Sequence, residues 1–280
     1  MKKLKFILML FSILLSKYSF SANFIDDSIL IKNSEPIFEI NNLNNNNLKY
    51  KIIEGDIIYD QNQIYNRDIY SAPLNYSKKK WNNGKIYYSF HLYNRRNKNL
   101  QLRKFNHYEK SLIRNAMDKL ENIADIKFIE VYHKPFHNYL EIMVDEGCFS
   151  GIGSDHPQTV SLGDGCLYPE IIQHELMHAL GFLHEQSRSD RNYYLKIIKE
   201  NIIPGKENNF DLGPYSTIQF GPYDYYSIMH YGLNSFSIDP KKYTMVPLLN
   251  GVYWEYIGNA KTLSILDREA LQRAYGKVKN

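Results

Sequence analysis

Cysteine is scarce, with two in 280 residues, and neither Cys148 nor Cys166 lies directly after the apolar run near the N-terminus, which argues against a lipid-anchored lipoprotein. Long hydrophobic runs are lacking as well. After Leu15 no stretch approaches the roughly 18 apolar residues of a membrane span, so no stable membrane insertion is expected. An excess of one charge is missing once position is considered. The chain holds 34 Lys+Arg against 30 Asp+Glu, but Lys2, Lys3, Lys5 and Lys17 sit in the first 21 residues, which contain no acid. The rest is balanced at 30 of each sign. A nucleic-acid-binding protein keeps its basic excess on the folded domain, so that class is set aside.

What is present begins with an export signal. Met1-Lys-Lys-Leu-Lys is a positive start, Phe6 to Leu15 is a short apolar run, and Ser19-Phe20-Ser21-Ala22 offers small residues for cleavage. Residues 1–21 are therefore read as a signal peptide and the protein as secreted, extracellular or periplasmic. In an oxidising compartment Cys148 and Cys166 are expected to pair, which contributes about 3 kcal/mol for a loop of this size.

Residues 22–71 differ from the rest of the chain. Asn41 to Asn47 is a low-complexity tract without a packing period, and the segment carries Asp26, Asp27, Glu35, Glu39, Glu54, Asp56, Asp60 and Asp68 against Lys32, Lys49, Lys51 and Arg67. An acidic leader beside a mildly basic domain fits a docking pro-segment, and composition alone also fits a linker. From residue 72 onward the chain reads as an α+β domain, and 44% apolar residues suffice for a core. Lys85–Leu92, Ile126–Tyr132 and Tyr139–Val144 read as strands, Tyr108–Ala124 as an amphipathic helix. A helix is expected from Pro169, and a last one near Ser264 with Asp267 as a weak capping box.

The chemistry lies in His174-Glu175-Leu-Met-His178-Ala-Leu-Gly181-Phe-Leu-His184-Glu185. Histidines four apart on a helix can grip one ion. Gly181 can end the helix in the left-handed conformation and let His184 turn back as a third ligand. Three neutral imidazoles with an open fourth position suit a catalytic zinc, though imidazole also suits copper, iron and nickel. The spacing H-E-x-x-H-x-x-G-x-x-H is the metzincin signature, which calls for a Met-turn. Ser227-Ile-Met229-His-Tyr231 offers one, with Met229 as the apolar floor.

The chain resembles the astacin family of metzincin zinc endopeptidases. The likeness rests on Gly181–Arg188, Asp190-Arg191, Asn201-Ile202, Asn209-Phe210, Tyr223–Tyr231, Ser161–Cys166 and Trp81…Gly84…Tyr87, covering about 72–275. It implies a two-lobed domain around an active-site cleft. The N-terminal lobe would hold a twisted sheet and the HExxH helix, the C-terminal lobe the Met-turn and last helix. It further implies one zinc per domain held by His174, His178 and His184, with Glu175 as general base and Tyr231 as a displaceable ligand and oxyanion donor. Glu185 would meet the new N-terminus after processing, and substrate would lie along an edge strand near Asp145–Phe149.

The same resemblance turns residues 22–71 into a pro-segment and 72–280 into the catalytic domain. Ile53-Glu54-Gly55-Asp56 is similar to the family's F-x-G-D motif except at its first position, so Asp56 is the expected zymogen switch, with Glu54 and Asp60 as rivals. The leader contains no cysteine, which excludes a cysteine switch. Cleavage is expected near Ala72, with Asp68 competing. Many family members carry two disulfides, and here only the pair Cys148–Cys166 is available, which leaves the C-terminal anchor open. Partners are protein or peptide substrates, the protein being a monomer without nucleic acid. Two rival classes stand beside this reading. A binding module on a dead protease fold would be expected to have lost Glu175 or a ligand. An inhibitor or toxin acting by surface recognition alone would not need the intact metal constellation.

Overall fold

The computed structural model describes residues 50–60, 80–90, 103–133, 138–154, 158–212 and 218–279. The signal segment 1–21, the asparagine tract, Asp68 and Ala72 lie outside them. The described residues all belong to one compact unit, Glu35–Asn280.

Among the described residues seven strands form one mixed sheet. In chain order they are β1 (Tyr50–Ile53), β2 (Ile57–Asp60), β3 (Lys85–Ser89), β4 (Lys127–Glu130), β5 (Leu140–Met143), β6 (Cys148–Gly151) and β7 (Gln158–Leu162). Their spatial order is β1-β2-β6-β7-β5-β3-β4. Three α-helices accompany them among the described residues: α1 (His107–Glu121), α2 (Pro169–Ala179) and α3 (Ile265–Tyr275). A two-stranded antiparallel ribbon, β8 (Leu195–Ile197) with β9 (Met245–Pro247), completes an α+β architecture.

Local chemistry explains the helix boundaries. Asn106 and Glu109 close a reciprocal capping box on α1, whose Ile113, Ala116, Met117 and Leu120 face the core. Pro169 opens α2, where a missing N–H costs nothing. Ser264 and Asp267 make a second complete capping box on α3.

Two buried apolar clusters result among the described residues. The larger joins the sheet to α1 and α2 and takes in Ile228, Met229, Leu263, Leu271 and Tyr275. The smaller holds Leu195, Phe210, Tyr223, Tyr225, Tyr231 and Met245. Cys148 is bonded to Cys166, tying the start of β6 to the loop before α2. The C-terminus, which has no second disulfide, is held otherwise. Lys277 bridges Ala124, Asp125 donates its N–H to the Gly276 carbonyl at 2.9 Å, and Lys279 pairs with Asp125.

The leader supplies the two strands at one side of the sheet. β2 runs parallel to β6, pairing Ile57 with Ser150 and Ile58 with Gly151. The edge expected to take substrate is thus covered by a segment of the chain itself.

Candidate metal centre

Helix α2 carries His174 and His178 one turn apart, and its end is built by hydrogen bonds that orphaned carbonyls require. Gly181 N–H donates to the His178 carbonyl at 2.7 Å and Phe182 N–H to that of Met177 at 2.9 Å, with Gly181 at φ 103°. This is a Schellman closure, and the left-handed residue suits glycine because it has no Cβ. The chain then doubles back, and Glu185 N–H donates to the Met229 carbonyl at 2.9 Å, fixing His184 against the 227–231 turn.

Three imidazoles converge. His174 Nε2 and His178 Nε2 stand 3.1 Å apart, and Asp56 Oδ2 stands 3.3 Å from His174 Nε2 and 3.2 Å from His184 Nε2. His178 Nε2 lies 3.6 Å from Asp56 Oδ1. One donor atom from each of the four residues falls within 4.8 Å of all the others.

The donor set fits zinc. His174 Nδ1 meets the Ile228 carbonyl at 2.8 Å and His178 Nδ1 meets the Phe182 carbonyl at 2.6 Å. A carbonyl only accepts, so both Nδ1 atoms carry the proton and both Nε2 atoms present bare lone pairs. Two lone pairs 3.1 Å apart repel unless a cation lies between them. Four ligands at zinc's usual bond lengths of about 2.0–2.1 Å stand about 3.3 Å from each other, close to the separations here. Burial also pushes His178 well below the ordinary imidazole range, favouring the neutral, ligating form.

The other acids have distinct surroundings. Burial alone would raise Asp56, but His184, His174 and His178 outweigh it and hold the carboxyl far below the usual range. Glu175 is fully buried with neither carboxylate oxygen hydrogen-bonded among the described residues. Burial, reinforced by the charge of Asp56, pushes its carboxyl well above the usual range. Tyr231, its ring 4.5 Å from that of His184, donates its hydroxyl to the Glu54 backbone carbonyl. Its own N–H donates to Gln186 Oε1 at 3.0 Å.

Glu185 accepts from Arg188 Nη1 at 3.0 Å and from the Asp224 N–H at 2.8 Å. Burial lifts it to about 8 against the pull of Arg188. A cavity beside it is lined by Glu185, Arg188, Pro222, Asp224, Met229 and Asp267. Met229 is buried in the larger apolar cluster.

Of the two rivals to Asp56, Glu54 reaches the other nitrogen of His184, its Oε2 standing 2.9 Å from Nδ1. Asp60 sits at the far end of β2, paired with Tyr50. Sequence reading did not single out Gln186 or the wider role of Asp267. Gln186 lies in a run matched to the family but has no chemical signal of its own.

Comparison with known proteins bears on this constellation. The peptidase family described as Astacin matches residues 73–276. Zinc metalloproteinase nas-4 of Caenorhabditis elegans is 34% identical over 79% of this chain and 68% of its own length. Astacin-like metalloprotease toxin 1 of Loxosceles intermedia is 33% identical over 89% of this chain and 87% of its own length. Among solved structures, high choriolytic enzyme 1, a hatching enzyme zinc-protease of Oryzias latipes, superposes with a TM-score of 0.62 at 33% identity. The match covers 74% of this chain and 100% of that one.

Proposed function

This chain belongs to the astacin family of zinc metalloendopeptidases, and from that premise we propose that it is made as a secreted, latent precursor. In this reading residues 1–21 direct export, 22–71 are the pro-segment, and 72–280 are the catalytic domain released near Ala72 or Asp68. The observation that carries it is the meeting of Asp56 with His174, His178 and His184. A leader carboxylate lies where the three imidazoles leave a fourth ligand position, and the same leader lines β6 with β2.

His174, His178 and His184 hold the metal. When bound, zinc supplies Lewis acidity, polarising a peptide carbonyl and lowering the pKa of water toward about 7. Glu175 is the general base: its buried, unpaired carboxylate takes the proton of the attacking water and passes it to the leaving amine. Tyr231 stabilises the oxyanion by donating its phenolic proton. In the latent chain that hydroxyl already donates to a peptide carbonyl, that of Glu54. Removing the leader frees both the phenol and the edge of β6, so an extended peptide can add main-chain hydrogen bonds there. Glu185, an acid in a lined cavity, receives the new amino terminus, and Met229 supplies the apolar floor.

The test is digestion of casein by residues 72–280 and by their Glu175→Ala variant, each with and without phenanthroline. Cleavage by the unchelated parent alone is expected. Chelator-resistant cleavage shared by both proteins would overturn the assignment of Glu175 and of the metal.

A further inference from the structure

His174 and His178 each give the N–H of their outer ring nitrogen to a carbonyl of the catalytic domain, those of Ile228 and Phe182. These acceptors remain when the leader is removed. His184 is different. Both of its ring nitrogens meet leader carboxylates, Nε2 at 3.2 Å from Asp56 Oδ2 and Nδ1 at 2.9 Å from Glu54 Oε2. Among the described residues the catalytic domain offers His184 Nδ1 no acceptor of its own.

Glu54 is held in place at some conformational cost. It has φ 48° and Gly55 follows at φ 76°. Positions with positive φ normally take glycine, asparagine or aspartate. Glutamate there is uncommon, and strained residues of this kind persist where the surroundings fix them. The surroundings do so here. The Glu54 carbonyl accepts from Tyr231, its side chain is about nine-tenths buried, and Phe236, itself at φ 54°, lies close against Gly55.

A carboxylate on the far nitrogen of a metal-binding histidine fixes the ring's tautomer and orientation and makes it a better ligand. We propose that Glu54 is a positioning residue that tightens the precursor's hold on zinc through His184, and that processing loosens one of the three histidines by taking this acceptor away. The leader then has two separable parts. Asp56 covers the metal position, and Glu54 secures the metal itself in the folded precursor. This inference rests on the reading of the three histidines as zinc ligands and of the leader as removed.

The experiment measures zinc dissociation constants by competition with a chromogenic chelator. It uses the full precursor, made in a Glu175→Ala background so that it cannot process itself, and compares Glu54→Ala, Glu54→Gln and Asp56→Ala. Glu54→Ala should bind zinc about tenfold or more weakly, the range for loss of such partners being about 10–100-fold. Glu54→Gln should lose less, because its amide oxygen still accepts from the Nδ1 proton. Circular dichroism of the chelated proteins keeps a folding defect apart from a metal effect. Equal zinc affinity in the parent and Glu54→Ala overturns the proposal, even if latency weakens, since Glu54 would then be only a tether for the leader. A parent precursor that binds no zinc would overturn this proposal and the underlying site reading together.

Discussion

Ser227 donates its hydroxyl to Asp267 Oδ1 at 2.6 Å, across 40 residues of sequence. The second oxygen of Asp267 accepts the Ile228 N–H at 2.9 Å and the Ser264 N–H at 2.9 Å. One buried carboxylate therefore caps α3 and pins the turn whose Ile228 carbonyl orients His174 and whose Met229 carbonyl holds the start of the Glu185 segment. The last helix and the metal centre are coupled through this residue, although Asp267 touches no ligand.

Replacing Asp267 by Ala should therefore cost more than a helix cap. Three donors lose their acceptor in a buried setting, and hydrogen bonds to a charged group contribute about 1.5–3 kcal/mol each without being additive. A loss of about 3 kcal/mol is expected in urea unfolding of the zinc-loaded protein. Asp267→Asn, which keeps the shape but turns one oxygen into a donor, should fall between the two. An unchanged midpoint for the Ala variant would mean that the turn is held by its other contacts.

The second prediction concerns the leader turn. A Cβ built on Gly55 would lie 2.6 Å from Phe236 Cζ and 3.3 Å from the Tyr231 hydroxyl, at a φ of 76° that a side chain rarely adopts. Gly55→Ala should lift the turn that carries Asp56 and raise peptide cleavage by the uncleaved precursor about tenfold, corresponding to about 1.4 kcal/mol of strain. Asp56→Ala should raise it further, because it removes the carboxylate outright. A Gly55→Ala precursor as silent as the parent would show that the turn has room to relax.

The metal helix was legible because its information is local: two histidines at helical spacing, a proline to start and a glycine to stop. The strands around it were less so. All four residues of β6 are buried, so Cys148–Gly151 shows no alternation, and only the family resemblance pointed to an edge strand near Asp145–Phe149. β1 and β2 are four residues each and take meaning from the pairing of β2 with β6, some ninety residues later. Asp267 was visible only as a weak cap, since its bonds to Ser227 and Ile228 cross the chain. Glu54 was visible as a rival to Asp56. That it reaches the opposite nitrogen of His184 depends on two consecutive residues with positive φ, which no periodicity signals.

Acid should destabilise the protein through His230. Its Nδ1 donates to the Tyr231 carbonyl at 2.6 Å and its Nε2 lies 2.8 Å from the Tyr223 hydroxyl, so the ring is buried and satisfied as a neutral imidazole. Burial is the main reason its pKa falls to about 4. In the unfolded chain the value is about 6.5, so below that pH the unfolded state takes up a proton that the folded state refuses. The contribution of His230 is thus complete above about pH 6.5 and is lost as pH falls from there through about 4, amounting to about 3 kcal/mol by pH 4. Because carboxylates also titrate in this window, the informative quantity is a difference. Urea unfolding of the parent and of His230→Gln should give stabilities that converge as pH falls, the variant starting lower at neutral pH and losing less. Parallel curves across the same window would mean that His230 takes up its proton in the folded protein as readily as in the unfolded chain.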